Sequence, residues 1–388
     1  MKRIYLDYAS ATPIDSRVLD FSRWYLEDMV GNPSSLHSLG LQAKKAMEES
    51  REKIAGFINA ENESTIIFTG GSTESNNLAI QGCSLRNTGK GKQVAASAIE
   101  HISVLNPMKY LQKNGFRFSL IPVDSQGLVD LEQLEDIVTK ETLITSIMYA
   151  NNEIGTIEPI KEISSLVHEK GLYLHVDAVA AGGYVPLDVQ KDNIDLLTLS
   201  SSALYGPLGA GVLYVKPGIK LQSILPGGGQ ERGLRSGSEN IFALVGMGEA
   251  ARIAKKERAK ETPRFQNIRD SLIDGILKID DSFLTGHPTL RLPHHASFRF
   301  SYIEGESILL SLDMYNIQVA TGSACSSRTL EPSHVLLAIG LKHEEAHGSM
   351  VLTLGRSNTS KEVPHVITAV TNTVEKLRDL SPLYKKKK

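Results

Sequence analysis

Between about residues 64 and 215, short apolar runs rich in β-branched residues alternate with segments of helical spacing. Near-continuous apolar strands separated by helices are typical of a largely parallel sheet with helices on both faces. Helical spacing occurs at 131–138 and 160–170, each between two such runs. The strand-like runs are 65–68, 93–96, 117–121, 143–148, 172–176, 196–199 and 211–215. The sequence therefore predicts an α/β fold with a mainly parallel seven-stranded sheet.

The pattern changes after about residue 258, where it becomes helix, strands and helix, as in a smaller α+β unit. A chain of 388 residues is long enough for two hydrophobic cores. The charged segment 253–260 is suited to a long connecting helix. We expect a large domain over 13–258 and a small α+β domain formed by 1–12 and 259–388.

Charge and apolar composition argue against several classes of partner. The 42 basic residues nearly balance the 44 acidic ones, so no overall charge indicates nucleic acid or a membrane surface. No apolar run approaches the roughly 20 residues that span a bilayer, and residues 1–7 lack the apolar core of a signal peptide. Cys83 and Cys325 are too few for a disulfide framework. We expect a cytoplasmic protein without nucleic-acid or membrane partners.

Gly70, Gly71, Ser72 and Thr73 follow the first predicted strand and precede a helical pattern. Glycines let backbone amides turn toward an anion, and the start of a helix adds free N–H groups and a positive dipole end. This segment predicts a phosphate cup. The alternative is a simple helix cap in which the Ser72 or Thr73 side chain accepts a backbone N–H.

Three further polar residues follow predicted strands, namely His101, Asn152 and Asp177. Ligands of open α/β sheets bind at the carboxyl ends of the strands. His101 could stack on a flat cofactor and move protons, or it could be an ordinary hydrogen-bonded histidine. Asp177 could keep a pyridine nitrogen protonated, or it could cap the next helix. Their coincidence at strand ends favours a cofactor site.

The chain resembles the NifS/IscS group of cysteine desulfurases, which are fold-type I pyridoxal phosphate proteins. The motifs that carry the resemblance follow one another nearly from end to end. They are 5–8, 31–35, 73–77, 100–101, 151–155, 175–178, 227–231, 235–238 and 322–325.

The resemblance implies a homodimer with pyridoxal phosphate as cofactor and His101 as a catalytic residue. It also implies a loop, at about 320–332, whose Cys325 attacks the sulfur of bound cysteine. Alanine and a persulfide on Cys325 are the products, and the persulfide sulfur passes to an IscU-type iron–sulfur scaffold protein. Cys83 is expected to be a buried apolar residue. The implied cofactor-binding residues are Ser72, Thr73, Asn152, Asp177, Ser200, Ser201, Ser202 and, from a second subunit, Ser238.

The chain departs from the family at four positions. Ala203 stands where the family has the lysine that binds the cofactor covalently, and no lysine occurs between Lys191 and Lys216. Ser202 replaces a histidine and Ala180 replaces a glutamine that bonds the cofactor ring oxygen. Val351 replaces the first arginine of the C-terminal motif, which clamps the substrate carboxylate, whereas Arg356 stands at the family's second arginine.

These departures predict that ordinary desulfuration is lost or very weak, because the lysine is both the covalent link and the catalytic base. The leading hypothesis is a homologue in iron–sulfur cluster assembly whose Cys325 carries sulfur or ligates a nascent cluster shared with the scaffold. One alternative is an active desulfurase with non-covalent pyridoxal phosphate. A remote alternative is a zinc peptidase, because His343, Glu344 and His347 match the H-E-x-x-H pattern.

Overall fold

The computed structural model describes residues 3–322 and 332–384. Within these ranges the strands are β1 (Ile4–Tyr5), β2 (Ile66–Thr69), β3 (Gln93–Ser97), β4 (Arg117–Ile121), β5 (Thr142–Met148), β6 (Tyr173–Asp177), β7 (Leu196–Ser200), β8 (Gly211–Val215), β9 (Ser282–Leu284), β10 (His295–Phe300), β11 (Ile317–Gln318) and β12 (Ser349–Thr353). The α-helices are α1 (Ser16–Glu27), α2 (Ser38–Phe57), α3 (Ser72–Asn77), α4 (Cys83–Arg86), α5 (Ile102–Lys113), α6 (Leu131–Ile137), α7 (Ile160–Glu169), α8 (Ile241–Ile276), α9 (Gly305–Asp313), α10 (His334–Ala338), α11 (His343–Ala346) and α12 (Val363–Leu380).

The main sheet contains seven of these strands from the described part of the chain, in the order β2-β8-β7-β6-β5-β3-β4. Strand β8 is antiparallel to both of its neighbours, and the remaining pairs are parallel. Every run that the sequence pattern predicts as a strand is one, with ends that move by at most one residue. The α/β fold with a mainly parallel sheet is confirmed.

Both faces of the sheet are covered by apolar side chains, which explains why its strands have no polar alternation. Leu197 of β7 packs into a cluster that includes residues of α1, α2, α7 and α8. Its neighbour Leu196 packs into a second cluster that includes residues of α5 and of the short π-helix Leu78–Gly82. Successive strand side chains point to opposite faces, so each face needs its own apolar residue.

A smaller unit packs beside this sheet. Its three-stranded antiparallel sheet has the order β12-β10-β9, and its own apolar cluster contains residues of β1, α9, α12 and the second half of α8. Helix α8 has 36 residues and crosses position 258, so the expected boundary lies inside one continuous helix. The division into two domains at that point stays a prediction. In the ranges that the structure describes, no helix combines the length and apolar character needed to cross a membrane.

Candidate functional site

A cavity of about 440 Å³ lies where the carboxyl ends of β3, β5, β6 and β7 meet the smaller unit. The lining includes six of the predicted site residues, which are Ser72, His101, Asn152, Asp177, Ser200 and Ser202. The carboxyl edge of the sheet therefore brings these sequence-distant residues together, as the topology rule expects.

A chain of hydrogen bonds joins Asp177 to His101 at the inner wall of the cavity. Asn76 donates from Nδ2 to Asp177 Oδ2 at 2.8 Å and to Ser103 Oγ at the same distance. Ser103 Oγ lies 2.7 Å from His101 Nδ1, which also accepts the backbone N–H of Ser103 at 3.1 Å. Because Nδ1 accepts that N–H, the neutral His101 ring carries its proton on Nε2.

Burial raises the pKa of Asp177, and the hydrogen bond from Asn76 and the backbone N–H of Val179 oppose that rise. Burial therefore favours the neutral form of the carboxyl, whereas the two hydrogen bonds favour its ionised form. A positively charged partner such as a protonated ring nitrogen would stabilise its ionised form. This environment suits the role that the sequence assigns to Asp177.

The glycine turn after β2 leads directly into α3. Helix α3 begins at Ser72, its N-cap is Gly71, and no side chain caps it. The alternative in which Ser72 or Thr73 serves as a helix cap is therefore wrong. The turn is held by Glu74, which accepts the backbone N–H of Gly70 at 2.8 Å and a charged hydrogen bond from Arg235 Nε at 2.7 Å. Within the ranges that the structure describes, the Ser72 hydroxyl takes no part in capping this helix.

Hydroxyl groups from β7 complete the cup. Ser200 Oγ and Ser202 Oγ lie 2.9 Å apart, and both residues line the cavity and an adjoining open groove. Ser72 lines both spaces as well, whereas Thr73 lines the groove only. Ser72, Thr73, Ser200 and Ser202 thus form one polar cradle.

Two of the predicted cofactor ligands lie elsewhere. Ser201 is fully buried, its hydroxyl has no partner among the described residues, and a Cβ on Gly206 would lie 2.3 Å from it. The backbone enters a 3₁₀ turn at Ser202, which turns Ser201 away from the cavity, so its assignment as a cavity-lining ligand is corrected. Ser238 is exposed and does not line the cavity.

The four positions at which the sequence analysis expects a departure from the family, Ala180, Ser202, Ala203 and Val351, all line the cavity. The described lining contains neither lysine nor arginine. Arg356 is not part of this lining; it pairs with Asp15 and lies over the Tyr205 ring at 4.4 Å. The part of the lining that the structure describes thus has two carboxyls, Asp177 and Glu153, and several hydroxyls.

Two cavity residues were missed by sequence reasoning. Glu153 accepts a hydrogen bond from the Ser333 hydroxyl, and burial raises its pKa to about 7. His294 is buried and stacks on Tyr184 with ring centroids 3.4 Å apart. A signal existed for each, since Glu153 belongs to the 151–155 motif and His294 begins a histidine pair before an apolar strand.

The zinc-peptidase pattern gains no support. His343 and His347 lie on and just after the short helix α11, with ring centroids 4.7 Å apart. Over residues 3–322 and 332–384, no group of three potential metal-ligating side chains comes together. Glu345, the next acid on this helix, caps it and pairs with Arg299.

The donor set fits part of pyridoxal phosphate. A buried carboxyl at Asp177 suits the ring nitrogen, and the hydroxyls of the cradle suit the phosphate. The methyl group of Ala203 cannot form the covalent link, and Ala180 offers no donor to the ring oxygen. The site therefore fits non-covalent binding and does not fit covalent attachment. Cys325 and most of its predicted loop, at 323–331, lie outside the described residues.

Comparisons with known proteins agree with this architecture. Residues 4–366 match the class-V aminotransferases. The chain is 54% identical over 382 residues to cysteine desulfurase IscS 1 of Archaeoglobus fulgidus, covering 98% of this chain and 100% of the relative. It is 46% identical over 382 residues to cysteine desulfurase IscS of Methanosarcina thermophila, covering 98% and 94%. The solved structure of a NifS-like protein has a TM-score of 0.91 at 33% identity, covering 97% of this chain and 100% of that one. The resemblance to the NifS/IscS group and the fold-type I architecture are confirmed.

Proposed function

This chain belongs to the class-V aminotransferase family, and we propose that it is a homologue of the cysteine desulfurases that takes part in iron–sulfur cluster assembly. We propose further that it has little or no desulfurase activity. The proposal rests on which side chains line the cavity. The cavity keeps Asp177, His101 and the hydroxyl cradle, but it has methyl or isopropyl groups at Ala203, Ala180 and Val351. A cytoplasmic location is part of the proposal.

The loss at Ala203 has the largest effect on chemistry. General acid–base catalysis by one positioned side chain contributes roughly 10²–10⁴-fold, and the lysine's covalent role is lost in addition. His101 can hold a proton on Nε2, but it already accepts from Ser103 through Nδ1. We therefore expect cysteine turnover near the background rate.

Pyridoxal phosphate, when bound, would supply an electron sink. Asp177 would hold its ring nitrogen, the cradle of Ser72, Thr73, Ser200 and Ser202 would hold its phosphate, and Asn152 and His101 would flank it. Without a covalent link, the cofactor would dissociate readily. Ser238, which is exposed on this chain, would serve the cradle of a second subunit.

Cys325 is the residue that we propose to carry sulfur, accepted as sulfane sulfur from a persulfide donor that leaves as its thiolate, or to ligate a nascent cluster with the scaffold protein. Thiolates are suitable ligands for iron–sulfur clusters. Cys83 is unsuitable for either role, because it is fully buried and burial raises the pKa of its thiol to about 12. Gly322, the last described residue before the Cys325 segment, lines the cavity.

Exposed apolar residues support a homodimer. Leu26, Val30, Leu36 and Leu208 are all well exposed, with Leu36 at 90%. Large apolar side chains that form a contiguous exposed patch are typical of protein–protein interfaces. We propose that a second copy covers them and that an IscU-type scaffold protein docks on the dimer.

The test uses cluster formation on a scaffold protein with iron and sulfide, followed by visible absorption. We expect Cys325→Ser to lose the stimulation that the wild type gives. Cys83→Ala is the matched control, because it removes the other cysteine, and it should stimulate like the wild type. If Cys325→Ser assembles clusters as fast as the wild type, the proposal is wrong.

One observation favours a second candidate function. The hydrogen-bond chain from Asp177 through Asn76 and Ser103 to His101 is complete. An active desulfurase with non-covalent pyridoxal phosphate would need this arrangement to convert L-cysteine to L-alanine and a persulfide on Cys325. Sulfide release that depends on added pyridoxal phosphate would support it.

A further inference from the structure

His294 is an unpartnered polar side chain on the wall of the cavity. It is 3% exposed, and its buried Nδ1 has no hydrogen-bond partner among the described residues. Nδ1 is sealed from solvent, which leaves Nε2 as the nitrogen available to the cavity that His294 lines. Buried polar groups are nearly always hydrogen-bonded, so this ring is expected to have a partner beyond the described residues, such as a ligand in the cavity.

The ring is fixed in place. It stacks on Tyr184 at an interplanar angle of 9° and meets Phe265 edge-on. Tyr184 is held in turn, because its hydroxyl lies 3.4 Å from that of Tyr205. A ligand would thus meet a donor that is already oriented, with little side-chain entropy left to lose on binding.

The charge behind His294 favours a negatively charged ligand group. Burial lowers the pKa of both histidines; the buried Arg269 lowers both further, and the buried Arg291 lowers the pKa of His295. Arg269 pairs with Asp270, but Arg291 has no ion pair among the described residues and donates only to backbone carbonyls and a serine hydroxyl. Asp270 acts on Arg291 without forming an ion pair with it, so the positive charge at this wall is only partly compensated.

The adjacent histidine has a different task. His295 lies in β10, and its Nε2 is 2.9 Å from the backbone carbonyl of Asn152, to which it donates. In the β10–β12 register His295 is opposite Thr353, and Ser297 is opposite Val351. The wall that carries the histidine pair is therefore also the wall on which Val351 stands in place of an arginine.

Acidic groups line other parts of the cavity, where Asp177 and Glu153 are the carboxyls of the described lining. A ligand with an amino group and a carboxylate would be complementary to a cavity with acids in one part and an oriented N–H backed by guanidinium groups in another.

We propose that His294 recognises the carboxylate of a small α-amino carboxylate in this cavity, as the residue that replaces the missing arginine at Val351. His294 Nε2–H donates to the carboxylate, and the positive charge of Arg269 and Arg291 behind the histidine pair stabilises it. The inference deepens the proposed function, since it names the ligand class of the same cavity. It does not require cysteine turnover or a role for Cys325.

The experiment is a calorimetric titration of the full chain carrying Cys325→Ser, which prevents thiol exchange with the probe. L-cysteine and cysteamine are the probes, because they share the thiol and the amine and differ in the carboxylate. We expect L-cysteine to bind and His294→Phe, which retains an aromatic ring on Tyr184, to weaken it about tenfold to one hundredfold, as for a lost hydrogen bond to a charged group. Cysteamine should bind weakly and equally to both proteins.

Two further variants keep the result interpretable. His343→Phe changes an exposed histidine outside the cavity and should leave both titrations unchanged. His294→Asn retains a donor and should recover part of the L-cysteine affinity; it also serves if His294→Phe shows a lower unfolding temperature. Absence of L-cysteine binding, or equal L-cysteine affinity in the wild type and the folded His294 variants, overturns the proposal. Failure of the proposed function appears separately, as cluster assembly without Cys325.

Discussion

Placing a lysine at position 203 should restore covalent capture of pyridoxal phosphate. Ala203 lines a cavity of about 440 Å³, more than ten times the ~30 Å³ that one water occupies in the liquid. A lysine side chain therefore fits without overpacking. Because position 203 is only half-buried, we expect Ala203→Lys to change the free energy of unfolding by less than about 1 kcal/mol.

The expected gain in activity follows from the amino group that the new lysine brings into the cavity. A positioned lysine should raise the rate of sulfide release from L-cysteine by roughly 10²-fold or more. The KM for cysteine should remain high, because Val351 still lacks the charged contact. A hydrogen bond to a charged group contributes roughly 1.5–3 kcal/mol, which is about tenfold to 150-fold in affinity. Adding Val351→Arg should therefore lower KM by about that factor.

The assay is reconstitution with pyridoxal phosphate, borohydride reduction and intact mass, followed by sulfide release. Ala203→Lys should retain one reduced cofactor per chain, and the wild type should retain none. Ala60→Lys is the control, because position 60 is also half-buried and lies outside the cavity. The reasoning is refuted if folded Ala203→Lys captures no cofactor, or if the wild type and Ala60→Lys capture as much.

Three further predictions concern stability. Burial raises the pKa of Glu153 from 4.5 to about 7, so the folded state binds the carboxyl proton more tightly than the unfolded chain does. The free energy of unfolding should therefore fall by about 3 kcal/mol as the pH rises from about 4.5 to 7. Thermal unfolding of Glu153→Gln should lack that part of the pH dependence, and an unchanged profile would contradict the burial. Glu231 accepts two hydrogen bonds of 2.8 Å from buried Arg51, so Glu231→Gln should cost about 3–5 kcal/mol in denaturant unfolding; a loss below 1 kcal/mol would show that the pair is unimportant. EDTA should leave the unfolding temperature unchanged, because His343 and His347 have no third ligand in the described ranges; a fall on chelation would revive the zinc hypothesis.

The strands of the main sheet were predictable because burial on both faces leaves a distinctive apolar run. Leu196 and Leu197 are both needed, one for each face. The position of Asp177 at a strand end was predictable for the same reason, since the carboxyl edge of a parallel sheet is fixed once the strands are known.

The rest depended on contacts between distant segments. Nothing in the local sequence indicates that Ser201 turns inward while Ser200 and Ser202 face the cavity, because the 3₁₀ turn after β7 decides it. His294 reaches the cavity only because the smaller unit packs against the sheet edge and Tyr184 stacks on its ring. Similarly, Asn76 links Asp177 to Ser103 across 101 and 27 residues of sequence.

Sulfide release from L-cysteine by the purified protein, with borohydride trapping and a visible spectrum on the same sample, tests the central claim most directly. We predict that no pyridoxal phosphate is trapped on the chain and that sulfide is released at the background rate, with or without added cofactor. Covalently trapped cofactor in the wild type, or sulfide release well above background, would contradict the claim that this cavity has lost its desulfurase chemistry.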